Sequence, residues 1–332
     1  MLFTLQNPYA RIAVTDYGAR LVSVETPDRD GVFGHILLGF DDLETYRTAA
    51  GAFGAVLGRY ANRIAGARFN LDGETVRLAA DADGNILHGG AGGFGNQIWA
   101  VESSIEGAQI TFRRLSPAGE EGFPGNLVAR ATYRLEGKTL SLELSASTDA
   151  PTIVNLSSHP YFNLGDIARS DILDHEITID ADTYLPTDAR QIPTGELAHV
   201  AGSVFDFRAA MPFGARIRVG DPQLRIARGY DHCFVLNKTS QTGPQFAARA
   251  FAPGTGRVVE ISTTQPGLQL YSGNNLTGAI SGRGGISLRQ SAGFAMEAQN
   301  FPNAPNQPNF PSATLRPGEQ YYHMIAYTFT AA

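Results

Sequence analysis

The sequence predicts an all-β fold, a large antiparallel sandwich of short strands with few short helices. Three observations predict it. Apolar and polar residues alternate with a period of two in segment after segment. Turn dipeptides separate those segments: Asp-Gly at 30–31, 72–73 and 83–84, and Pro-Gly at 124–125, 253–254 and 317–318. Helical periodicity is nearly missing. The 37 Gly and 18 Pro among 332 residues fit this density of turns.

The alternation is clearest in two adjacent runs. In 128–135, Ala129, Ala131, Tyr133 and Leu135 face one way, while Arg130, Thr132 and Arg134 face the other. In 139–147, Leu140, Leu142, Leu144 and Ala146 alternate with Ser141, Glu143, Ser145 and Ser147. Glu-Gly-Lys at 136–138 joins them, so they read as a hairpin. Further strands are expected at 10–16, 19–25, 109–114, 175–180, 232–236, 257–263, 267–272, 286–289, 294–298 and 322–330. Helix signals are confined to 41–49, where Asp41 and Glu44 resemble a capping box, and to a turn at 206–211. The length suggests about two domains at roughly 100–200 residues each. No linker, repeat or charge block divides the chain, so residues 1–332 read as one domain.

Composition excludes several functions. Charged residues are 17 %, against about 25 % in an average domain. The net charge of -6 supplies no basic field, so no nucleic-acid partner is expected. The single cysteine, Cys233, can form neither an internal disulfide nor a cysteine metal cluster, and reads as core filling beside His232. No run reaches the roughly 18 apolar residues of a membrane span. The opening MLFTLQNPYARIAV lacks a basic region followed by a long apolar run. The expectation is a cytoplasmic protein with no membrane partner.

Residues capable of chemistry lie in separate segments. The seven histidines show neither HxH nor HExxH spacing, so no metal site is expected. The Gly-rich run 89–95 lacks the lysine of a phosphate loop. GRYANRI (58–64) carries Asn62 and Arg63; the arginine is either a surface charge or a fork for vicinal hydroxyls. His88 in NILHGG precedes two glycines, where backbone can approach a ligand, yet it equally suits a structural turn. His159 in NLSSHPYFNLG suits a ring-stacking polar pocket or a satisfied core histidine. Asp231 and His232 in GYDHCFVL are consecutive on a strand, so only one can face a given pocket. Gln269 in GLQLYSGN stands opposite Leu268 and Leu270. Glu297 in FAMEA is either on a solvated face or partly desolvated; in the latter case its pKa rises into the range of a general base.

Taken in order, GRYANRIAGARF, LHGG, SPAGEEGFPGNL, SSHPYFNLG, YLPTD with IPTGE, FDFR, GYDHCFVL, GLQLYSGN and MEAQNFPNAPNQPNFP resemble the aldose 1-epimerase (galactose mutarotase) family. The resemblance runs from about residue 58 to the C-terminus, and more weakly through the N-terminal strands. It implies one oversized sandwich, a supersandwich, which removes the difficulty of the length. It also implies interconversion of the α and β anomers of free aldoses such as D-galactose or D-glucose, with no metal and no cofactor. The partner would be a small-molecule monosaccharide, and the chain a monomer or weak homodimer. By the same resemblance His159 is the general acid, Glu297 the general base, and Asn62, Arg63, His88, Asp231 and Gln269 bind sugar. Two departures stand out: Ser158 where many members have Asn or His, and AGGFGNQIW after LHGG, where an Asp-Lys pair often follows the Phe.

The chemistry would need a carboxylate to take the C1 hydroxyl proton while an imidazolium protonates the ring oxygen. Three other readings compete. A glycosidase would use Asp231 and Glu297 as paired carboxylates, about 5–5.5 Å apart if retaining and 6.5–9.5 Å if inverting. A sugar-phosphate mutarotase would need an arginine clamp, since Lys138 and Lys238 are the only lysines. A non-catalytic sugar-binding sandwich would lack the acid or the base.

Overall fold

The computed structural model describes residues 1–49, 51–239 and 242–332. Its regular structure is almost wholly antiparallel strand. The largest sheet has nine, in the order Ala100–Ile105, Gln109–Ser116, Leu127–Glu136, Thr139–Thr148, Tyr321–Ala331, Arg257–Thr263, Gln245–Phe251, Glu176–Ile179 and Met211–Pro212. The C-terminal strand is thus seated between strands from earlier parts of the chain, pairing with Thr139–Thr148 on one side and Arg257–Thr263 on the other.

The hairpin forms in the register that its alternation requires. Leu135 pairs with Leu140, Tyr133 with Leu142 and Ala131 with Leu144. Those residues are buried, while Arg130, Thr132 and Arg134 between them are less so. A one-residue slip would turn every apolar side chain outward, which fixes this register.

A second sheet of five strands orders Ala198–His199, Thr183–Tyr184, Asp231–Val235, Gly267–Tyr271 and Ala295–Gln299. Phe234, Leu268, Leu270, Met296 and Ala298 join Leu142, Leu144 and Ile325 of the large sheet in one hydrophobic cluster. The two sheets therefore share a core, as the sequence predicts. A four-stranded N-terminal sheet, Leu2–Gln6 through Phe33–His35, adds Ile12, Val14, Leu21 and Val24 to it.

Helix expectations fare less well. Only Thr45–Thr48 is helical within 41–49, and Asp42 rather than Asp41 binds the Thr45 amide. No helix forms at 206–211, where Met211–Pro212 pairs instead with Glu176–Ile177. The other α-helix among the described residues, Pro222–Ala227, is capped by Asp221, which accepts from the Gln223 amide at 2.8 Å. Asp at the cap with Pro next is a start signal that the sequence carried. No helix among the described residues is long and apolar enough to cross a membrane.

Burial of histidines gives the fold a pH dependence. His232 and His323 are each pushed down from 6.5 to about 4, chiefly by burial. The folded state thus prefers both rings neutral. This stabilisation is complete above about 6.5 and is lost as pH falls towards about 4. The urea unfolding midpoint is expected to fall steadily over that window; a flat midpoint there would contradict neutral buried rings.

Candidate active site

One face of the five-stranded sheet packs on the core, and the other carries the site. Cys233, Gln269 and Glu297 are cross-strand partners on adjacent strands, and Asp231, Tyr271 and Ala295 form the next row. Period two places both rows on the same face, opposite His232, Leu270 and Met296. Asp231 therefore points to the site, while His232 turns back to accept from the Asp231 amide at 3.1 Å and meet Gln223 at 3.2 Å.

Loops from the first half of the chain cover this face. Val56–Leu57 pairs with Ser157–Ser158, and Arg63–Ile64 pairs with Ile86–Leu87. These short ladders deliver Asn62, Arg63, His88 and His159. Gly89 makes the approach possible: it lies at φ +87°, and a Cβ there would overlap the Gly58 carbonyl. Arg59 is spent on structure. It donates to Ser116, Pro117 and Pro124, all at 2.8 Å, and so clamps the SPAGEEGFPGNL loop. The Pro/Asn-rich C-terminal motif braces the same region. The Asn303 amide donates to the Arg63 carbonyl at 2.7 Å, and the Tyr60 hydroxyl to the Phe301 carbonyl at 2.8 Å.

These elements enclose a hollow of about 180 Å³ lined by Asn62, Arg63, His88, His159, Asp231 and Glu297, with Tyr161, Tyr271, Asn275 and Leu87 among the remaining walls. Six of the seven sequence-predicted residues meet there. Gln269 does not line it; its side-chain amide donates to Asp231 Oδ1 at 2.6 Å from behind. Tyr161 and Tyr271 belong to motifs legible in the sequence, but nothing local marked them as walls. A larger cavity of about 540 Å³ lies elsewhere. Its carboxylates, Asp28 and Asp166, pair with Arg257 and Arg169 at 3.7 and 3.6 Å.

The centre of the hollow is an acid–base pair. His159 Nε2 stands 3.4 Å from Glu297 Oε1, and the two residues are 5 % and 2 % exposed. His159 is stacked on Tyr161 with centroids 4.6 Å apart, which fixes the plane of its ring. Burial pushes the His159 imidazole down to about 4. Burial also raises the Glu297 carboxyl well above its usual range, with Asp231 adding to the rise and Arg63 opposing it. The dry pair thus favours one shared proton over two separated charges.

His88 is tuned differently. Burial, then the neighbouring His159 and Arg63, hold it well below 6.5. Its Nδ1 accepts from the Asn62 amide at 3.1 Å. A neutral ring accepting at Nδ1 carries its proton on Nε2, so His88 is a fixed hydrogen-bond donor. Nitrogen or carboxylate atoms of His88, His159 and Glu297 also lie within 4.8 Å of one another, a spacing that could hold a metal ion.

The chain matches the family described as aldose 1-epimerase over residues 1–328. It is 43 % identical to galactose mutarotase of Homo sapiens over 330 residues, covering 99 % of this chain and 94 % of that protein. It is 40 % identical to aldose 1-epimerase of Escherichia coli (strain K12) over 334 residues, covering 99 % and 95 %. Among solved structures, an aldose epimerase homologue from C. elegans superposes with a TM-score of 0.92 at 26 % identity, covering 100 % of this chain and 99 % of that one. A galactose 1-epimerase from Lactobacillus acidophilus NCFM gives 0.86 at 29 %, covering 99 % and 94 %. The chain belongs to the aldose 1-epimerase family.

Gly89→Ala tests how the site is assembled. It places a side chain at φ +87° against the Gly58 carbonyl. Strain of about 1–3 kcal/mol, plus the overlap, is expected to lower the unfolding midpoint and displace His88. An unchanged midpoint would mean that the two segments part without cost.

Proposed function

We propose that this chain, as a member of the aldose 1-epimerase family, interconverts the α and β anomers of free aldoses such as D-galactose or D-glucose. The carrying observation is the buried pair of His159 Nε2 and Glu297 Oε1, 3.4 Å apart in a hollow of about 180 Å³. O1 and O5 of an aldose sit on one carbon, and two groups on one wall of the hollow can address both.

In this reading Glu297 takes the proton from the C1 hydroxyl, the C1=O1 bond forms, the C1–O5 bond breaks, and O5 takes a proton from His159. Rotation about C1–C2 presents the other carbonyl face, and reclosure with the roles reversed gives the other anomer. Ring opening thus converts imidazolium and carboxylate into imidazole and carboxylic acid. Burial favors that neutral pair for both residues. Burial thus favours the protonation state reached at the open-chain stage, and hydrogen bonds from the bound sugar must draw out the ionised pair that starts the reaction. Each well-placed acid or base is worth roughly 10²–10⁴-fold.

The remaining groups orient the sugar. Arg63, Asp231 and Asn62 would bind hydroxyls, and His88 would donate through Nε2 to charge growing on oxygen. Gln269 acts through Asp231. We extend the proposal to a single domain of residues 1–332, supported by the C-terminal strand joining both halves of the large sheet. We also propose a cytoplasmic protein of hexose metabolism, acting as a monomer or weak homodimer.

Polarimetry of freshly dissolved α-D-glucose and α-D-galactose tests the reading. Acceleration of both by the wild-type chain, and loss of about 10²–10⁴-fold in kcat with little change in KM for Glu297→Gln, are expected. Near-normal activity in that variant would remove the base assignment. The pH profile is a separate check. kcat/KM should fall on the acid side towards about 4, where a second proton joins the His159 ring. On the alkaline side it should fall above the usual carboxylate range, as the last proton leaves Glu297. An acid limb centred on the ordinary histidine value of 6.5 would contradict the buried pair.

A further inference from the structure

Gln191 lies in a tight turn outside every group considered above. The Gln191 amide donates to the Asp188 carbonyl at 2.9 Å, and Asp188 Oδ1 accepts from the Arg190 and Ile192 amides at 2.8 and 3.0 Å. Within this turn Gln191 sits at φ +59°, a left-handed conformation that glycine or asparagine adopts with less strain. Its side chain reaches between two site residues. Gln191 Oε1 accepts from Arg63 Nη2 at 2.9 Å, and Gln191 Nε2 donates to Asp231 Oδ2 at 3.1 Å. Arg63 Nη2 and Asp231 Oδ2 are themselves 3.5 Å apart.

We infer that Gln191 is a positioning residue whose amide bridges Arg63 and Asp231 beside their 3.5 Å contact, fixing the orientation in which both face the sugar. The chemistry of the amide suits this task. Its oxygen meets the cation and its nitrogen meets the carboxylate, so it satisfies both without adding charge. Gln269 holds the other oxygen of Asp231 at 2.6 Å, so amides fix the carboxylate from two sides. Without Gln191, the guanidinium would keep only its 3.5 Å contact with Asp231 Oδ2, its orientation would be less fixed, and its hydroxyl contacts would weaken. A strained backbone retained for such a side chain is expected where function, not stability, sets the residue. The inference rests on the mutarotase reading, because it assumes that Arg63 and Asp231 bind sugar hydroxyls.

The test compares wild type with Gln191→Gly and Gln191→Met, using D-galactose mutarotation and thermal unfolding. Glycine relieves the left-handed backbone and removes the amide. Methionine keeps the length and removes the amide. Both are expected to raise KM about three- to tenfold, the worth of one or two net hydrogen bonds, with kcat within about twofold. The melting temperature of Gln191→Gly should stay level or rise. Gln191→Glu should raise KM further, since it keeps the acceptor for Arg63 but sets a second carboxylate beside Asp231. Unchanged KM in the glycine and methionine variants, with an active wild type, would overturn the inference alone. So would a KM rise in the glycine variant accompanied by a lowered melting temperature and a normal methionine variant, since that marks a structural role. A wild type that neither accelerates mutarotation nor binds D-galactose by calorimetry would overturn the mutarotase reading and this inference with it.

Discussion

Keeping a carboxyl group and an imidazole out of water, side by side, is the constraint on which this structure turns. An isolated buried ion costs several kcal/mol, and a buried pair recovers that cost only with close geometry and further hydrogen bonds. Glu297 and His159 meet the constraint by standing 3.4 Å apart and favouring the state in which one proton leaves both uncharged. Burial here sets the protonation preferences of both groups, pushing His159 down and Glu297 up. The tyrosine walls, Tyr161 stacked on His159 and Tyr271 at its edge, maintain that dryness.

The rest of the fold holds those atoms still. The strand bearing Glu297 is hydrogen-bonded to the strand bearing Gln269, and that one to the strand bearing Asp231, so three side chains share one rigid face. The residues arriving from loops are held by unusual backbone. Asn62, His88, Gln191 and Asn303 all have positive φ, between 52° and 64°. Left-handed residues other than glycine are uncommon, and each costs on the order of 1–3 kcal/mol that surrounding contacts must offset. Their gathering at one place marks where the chain gives up local comfort for geometry. The C-terminal motif supplies part of the compensation, with Asn303 Oδ1 accepting from the Ala65 amide at 3.0 Å and Gln307 donating to the Pro193 carbonyl at 3.2 Å. Its proline and asparagine content therefore serves as a brace across the site.

The strands were legible because burial on one face of a sheet forces a period of two, and that period is written residue by residue. The hairpin of Leu127–Glu136 and Thr139–Thr148 could be registered from sequence for this reason. The site residues were legible differently. Asn62, Arg63, His88, His159, Asp231 and Glu297 sit in segments that resemble a family pattern, and six of seven converge on one hollow. The seventh, Gln269, was placed on the correct face, but its partner, Asp231, lies on a neighbouring strand and could not be read from spacing. Helices were the poorest reading. A capping-box pattern at 41–44 was overridden by an Asp42 bond to Thr45, and six residues after Asp221 formed a helix too short to show periodicity.

The sequence by itself determined the class of fold and the register of its clearest hairpin, which follow from local rules: alternation, turn chemistry and side-chain type. The candidate acid, base and their companions it offered only through the resemblance to a family, because no local rule separates them from structural residues. Only the tertiary structure decided which of Asp231 and His232 faces the hollow, that Arg59 is bound to the 116–124 loop while Arg63 lines the hollow, and that Gln191 bridges Arg63 and Asp231. It also decided that burial lowers the His159 imidazole and raises the Glu297 carboxyl. Protonation depends on desolvation, and desolvation is the sum of every neighbour that excludes water. The residues around the hollow come from positions as far apart as 51 and 297, a separation over which no sequence pattern carries the information.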